Sequence, residues 1–142
     1  MRRLADLRRL SPAERRVLAL AWILLLVTPL LLRLVPLRRM LIGARAGRRP
    51  RLAPERVAEL VDIAARRAPG ARCLPVAVVT SWLLARQGTP ATLQIGVARH
   101  GGGFGAHAWI ECAGVPLGGA RGIDAYQPIL TMASVAAHEA HR

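Results

Sequence analysis

Residues 72–117 read RCLPVAVVTSWLLARQGTPATLQIGVARHGGGFGAHAWIECAGVPL, and the apolar period changes halfway along this stretch. In residues 73–87, Val78, Val79, Trp82 and Leu83 follow Pro75 at helical spacing, which predicts a largely buried helix. Gly88 is placed to end it. In residues 91–98, Leu93, Ile95 and Val97 alternate with Thr92, Gln94 and Gly96, the period of a strand. Residues 106–112 predict a second strand, Ala113-Gly114 a tight turn, and residues 115–117 the start of a returning strand. A helix that gives way to antiparallel strands predicts an α+β fold, with helices packed on one face of a small antiparallel sheet.

Working towards the N-terminus, residues 54–67 (PERVAELVDIAARR) predict a helix with Val57, Leu60, Val61 and Ala64 on one face, stopped by Pro69-Gly70. Ser11-Pro12-Ala13-Glu14 supplies an N-cap, a proline at the first helical position and a capping-box glutamate, so another helix starts at about Pro12. It runs into residues 17–32 (VLALAWILLLVTPLLL), sixteen uncharged residues between Arg16 and Arg33. A membrane span wants about 20 apolar residues, no small-residue cleavage site follows, and Pro29 kinks the helix. The stretch therefore reads as a buried core helix. The arginines on both sides keep weak membrane association as the alternative. Residues 33–50 read as a broken helix and a basic linker, residues 126–130 as a short strand or loop, and residues 131–142 as a small helix. The organisation expected is an apolar helix and basic linker over residues 1–50 and a core over residues 51–142, packed as one domain.

A chain of 142 residues with 53% hydrophobic and 20% charged side chains is long and apolar enough for one core, which excludes an intrinsically disordered protein. The net charge of +13 comes from arginine alone, since the sequence has no lysine. These arginines are scattered and not interleaved with aromatics, so nucleic acid is not an expected partner. Cys73 and Cys112 form no CxxC pair, and free thiols in a reducing, cytoplasmic setting are expected. Among Cys73, His100, His107 and Cys112 no pair has metal-ligand spacing, so no metal is expected.

Cys73 stands at a predicted helix start, where aligned amide dipoles favour the thiolate, with Arg72 beside it. A thiol nucleophile needs a base, and His107 sits inside an apolar strand pattern where a polar ring must be paired or used. His100, in the glycine-rich loop of residues 99–105, and His138 and His141, in a polar tail, read as solvated. The glycines of residues 99–105 give room for an extended substrate; no helix follows them to make a phosphate cradle. Trp109 shares the face of His107, Glu111 lies two pleats from it, and Cys112 points to the other face as core. On these residues alone Cys73 is open between a small buried hydrophobe, the commoner use of such a cysteine, and a nucleophile.

Residues 72–117 resemble the transglutaminase-like core of the lasso-peptide B2 proteins, related to the C-terminal domain of the microcin J25 processing protein. The likeness is carried by a cysteine opening a helix, a Leu-Leu-x-x-x-Gly helix end, an Ile-Gly-Val strand, and Phe-Gly-Ala-His-Ala-Trp with an acid two residues on. Ser-Pro-Ala-Glu-Arg and the leucine-rich helix extend the likeness loosely over most of the chain. The resemblance implies a papain-like or transglutaminase-like cysteine protease core that removes the leader from a ribosomally made lasso precursor. Cys73 would be the nucleophile and His107 the base, with no cofactor for the hydrolysis. The implied partners are the precursor peptide, a separate leader-recognition protein and an asparagine-synthetase-like cyclase, which uses ATP. The family's aspartate, twelve residues after the histidine, is here Gly119, and Asp124 is the nearest replacement. That departure keeps a non-catalytic scaffold, binding the precursor or the cyclase, as the alternative.

Overall fold

In a computed structural model, the structure describes residues 8–42, 52–118 and 122–133. The Ser11 signal is realised as α1, Pro12–Leu34. The Ser11 hydroxyl accepts from the Glu14 amide at 3.2 Å, and the Glu14 carboxylate accepts from the Ser11 amide at 2.7 Å, closing a capping box. α2 is Leu37–Ile42, α3 Pro54–Ala65 and α4 Cys73–Arg86. A salt bridge of 2.6 Å from Arg56 Nε to Glu14 Oε1 joins α3 to the start of α1.

The strands β1, Thr92–His100, β2, Gly103–Cys112, β3, Val115–Pro116, and β4, Gln127–Ala133, form one antiparallel sheet in the order β3-β2-β1-β4. Leu93, Ala108, Ile110 and Leu117 join Leu25, Val57, Val61, Val79 and Leu84 in one core, so the helices cover one face of the sheet. The α+β expectation holds: helices first, then a small antiparallel sheet.

Several boundaries differ from those read in the sequence. Residues 99–105 are not an open loop. β1 and β2 pair through to His100↔Gly103, leaving Gly101 and Gly102 (φ +50° and +88°) as a two-residue turn. Positive φ at both central positions matches the twist of a tight hairpin, and glycine takes it without steric cost. Residues 126–130 fall largely in β4, which continues through Ala133, so the helix expected from residue 131 does not begin there. Residues 134–142 and the linker residues 43–51 lie outside the described residues.

α1 is only half a core helix. Ala21, Leu25 and Thr28 are buried against α3 and α4, but just 17% of its most apolar window is buried. With a mean hydropathy of 2.4 over that window, it is the one helix among the described residues long and apolar enough to cross a membrane.

Candidate functional site

Cys73 opens α4, and the start of that helix differs from the start of α1. Its N-cap is Arg72, in extended conformation, with no side-chain hydrogen bond to the helix. The Val76 amide bonds the Arg72 carbonyl at 3.1 Å, and Pro75 has no N–H. Among the described residues, no acceptor meets the amides of Cys73 and Leu74. The positive end of the α4 dipole is therefore concentrated on two open donors at the thiol.

Cys73 stands at a cavity of about 500 Å³, whose walls also include Asp62, Arg66, Arg72, His107 and Trp109. The structure thus brings Cys73 and His107 to one cavity, although no hydrogen bond joins them. Strand alternation sets which side chains of β2 share a face. Ala108, Ile110 and Cys112 face the helix-covered core, and His107, Trp109 and Glu111 take the other pleat.

The His107 ring is held by aromatic neighbours. Trp109 stacks beside it with centroids 6.1 Å apart, and Tyr126 approaches at 5.4 Å. Trp109, 4% exposed, donates from Nε1 to Glu111 Oε1 at 2.9 Å. Gln94 Nε2 donates to Glu111 Oε2 at 3.4 Å, and Thr131 Oγ1 donates to Gln94 Oε1 at 2.6 Å. One chain of hydrogen bonds thus crosses β4, β1 and β2 and ends on the indole that packs against His107. Gly96 makes room for that indole: a Cβ there would lie 2.8 Å from Trp109 Cη2 and 3.1 Å from the Gln127 carbonyl.

Asp124 is exposed in a single 3-10 turn, Ile123–Ala125, and is not on the cavity wall. It forms no hydrogen bond or ion pair among the described residues, but it lies two residues before Tyr126, whose ring touches His107. Gly119, His138 and His141 lie outside the described residues. His100 is exposed at the end of β1, with its ring edge-on to Tyr126 at 5.7 Å. Cys112 is half-buried against the core, as its strand parity predicts. Burial, with the charge of Glu55 adding, pushes its thiol above the ordinary value, which disfavours the nucleophilic thiolate.

Asp62 and Tyr126 reach the site without having been singled out in the sequence. Asp62 lines the cavity from α3, and burial pushes its carboxyl above the ordinary value, with Arg66 opposing and Glu59 adding to the shift. A signal for Asp62 was present: Ala58, Asp62 and Ala65 fall on one helical stripe, an acid between small residues. Tyr126 had no such signal, because only the pairing of β4 with β1 carries it to His107.

A helix-start thiol and a strand imidazole on one cavity are the parts from which thiol acyl-transfer sites are built. The family model of the transglutaminase-like superfamily matches residues 17–131, and the chain belongs to that superfamily, which includes cysteine peptidases. No curated protein and no solved structure matches the chain.

Proposed function

We propose that this protein is a cytoplasmic cysteine endopeptidase that removes the leader from a ribosomally synthesised lasso-peptide precursor. The observation that carries the chemistry is Cys73 at the open start of α4, on the same cavity as His107, in a transglutaminase-like chain. The lasso assignment rests on the sequence resemblance over residues 72–117.

In this reading, the Cys73 thiol passes its proton to His107 and Sγ attacks the scissile carbonyl. The carbonyl oxygen becomes an oxyanion facing the free Cys73 amide. His107 then protonates the departing amine as the thioester forms, and takes a proton from the water that hydrolyses it. The imidazole has to swing from its aromatic packing towards Sγ. Catalytic contacts that are long in a free enzyme tighten when substrate fills the site. Asp124 is the acid proposed to orient His107, reaching it beside Tyr126. The precursor is presented by a separate leader-recognition protein, and the freed N-terminus passes to the asparagine-synthetase-like cyclase.

The missing Cys73–His107 hydrogen bond and the exposed position of Asp124 favour a second reading, a scaffold of the same fold that only binds precursor or cyclase. Mass spectrometry of the precursor, incubated with this protein and the leader-recognition protein, separates the two. Cleavage by wild type that is lost in Cys73→Ala and His107→Ala is the peptidase result, and a further loss in Asp124→Ala assigns the third member. Binding of the precursor without cleavage is the scaffold result.

A further inference from the structure

The outward side of α1 carries Trp22, Ile23, Leu26, Val27, Leu30 and Leu34, each between 40% and 72% exposed. At about 100° per residue these six fall within an arc of about 140°, so they form one continuous stripe. The sequence has no aspartate or glutamate from Arg15 to Ile42. Exposed Arg15 and Arg16 stand at one end of the stripe, and exposed Arg33, Arg38 and Arg39 at the other. Arg15, Arg16 and Arg33 lie within the same arc of about 140° as the apolar residues.

We propose that this face seats the domain flat on an anionic lipid surface. The apolar stripe enters the boundary between headgroups and acyl chains, and the two arginine clusters engage lipid phosphates. Lying flat fits better than spanning for three reasons. Arg16 and Arg33 are about 26 Å apart along the helix, short of a hydrocarbon core of about 30 Å. A spanning helix collects its positive charge at one end, whereas α1 is basic at both. The inner side of α1 is also part of the core, through Ala21, Leu25 and Thr28, so withdrawing the helix into a bilayer would open the packing against α3 and α4. An interfacial helix uses both features, a buried inner face and an apolar outer face with basic ends.

None of the six stripe residues lines the Cys73 cavity, so lipid binding is read independently of peptide cleavage. The test is flotation of the full chain with vesicles of phosphatidylcholine plus phosphatidylglycerol, against phosphatidylcholine alone, at low and high salt. The bound fraction is expected to be about tenfold higher on the anionic vesicles and to fall with salt. Ile23→Gln/Leu26→Gln/Leu30→Gln, all at exposed positions, should lose this binding while keeping the wild-type far-UV circular dichroism and thermal unfolding. Arg38→Glu/Arg39→Glu should weaken binding, and Arg99→Glu, at the exposed end of β1, should leave it unchanged. A blue shift of emission on vesicle addition, absent in Trp22→Phe, would place the stripe in the lipid. The proposal fails if wild type does not bind the anionic vesicles, or if the folded triple glutamine variant binds as wild type does. It fails equally if the lipid-free protein is a dimer that the triple variant converts to monomer, because the stripe is then a protein interface.

Discussion

The two long apolar helices of this protein begin and pack in opposite ways. α4 buries Pro75, Ala77 to Ser81 and Leu83 to Ala85, with α1, α2, α3 and the sheet around it, and its start carries no side-chain cap. α1 buries three residues, exposes a full apolar side, and starts with a closed capping box. α4 is held by its surroundings, so its first turn is free to leave two amides open beside Cys73. α1 lies at the edge of the domain and draws more of its stability from local signals. Residues of equal hydropathy on the two helices therefore contribute differently to the fold, and the helix ends divide the same way: one stabilises, the other serves a site.

The largest expected break in this comparison comes from truncating one leucine on each helix. Leu84 is fully buried, and Leu84→Ala should destabilise the protein by about 2–5 kcal/mol, the lost transfer energy plus the cavity. Leu30, 59% exposed on α1, should change stability by less than about 0.5 kcal/mol on mutation to alanine. Guanidinium unfolding of the two variants checks the contrast; equal losses would mean that the outer side of α1 is covered in solution.

The ends of the helices come next. Ser11→Ala removes the acceptor for the Glu14 amide and should cost about 1 kcal/mol in the same assay. Arg72→Asp does the reverse for α4, since the extended backbone of residue 72 suits an acidic cap that accepts from the Leu74 amide. It should raise stability by about 0.5 kcal/mol. The same change removes a cation and places a negative charge beside Cys73, so alkylation of Cys73 by iodoacetamide at pH 7 should slow. Faster alkylation would show that the open helix start does not activate the thiol.

What the sequence disclosed follows the range over which each signal acts. The start of α1 was legible because Ser11, Pro12 and Glu14 act within one turn, and α4 because its apolar residues repeat at the helical period. The sheet was legible where side chains alternate and lost where they do not: the glycines of residues 99–105 carry no pattern, so the ends of β1 and β2 passed for a loop. The exposure of α1 was hidden because hydropathy is a property of residues and burial is a property of neighbours. At the site, Cys73 and His107 stood out by local context. Asp62 and Tyr126 are brought in by helix packing and by the β1–β4 register, which no local pattern specifies.

The smallest effect expected is in acid, where the two helix starts should titrate differently. The amide of Ser11, first, and Arg56 after it hold the Glu14 carboxyl below its ordinary value of 4.5. A carboxyl lowered by folding contributes stability that is complete above its unfolded value and lost as pH falls through the folded one. The capping box of α1 should therefore weaken only in acid below about pH 4.5, while the start of α4, which has no carboxylate cap, has nothing to lose there. Asp62 acts with the opposite sign, because burial raises its carboxyl, so stability falls as pH rises through its titration. Whole-protein acid unfolding mixes the two effects, and single variants separate them. Glu14→Gln should lower stability near neutral pH and flatten the loss in acid, whereas Asp62→Asn should remove the opposing slope. Unfolding curves recorded from pH 3 to pH 7 test both; an unchanged acid slope in Glu14→Gln would place the stabilisation of the α1 start in the Ser11 hydroxyl alone.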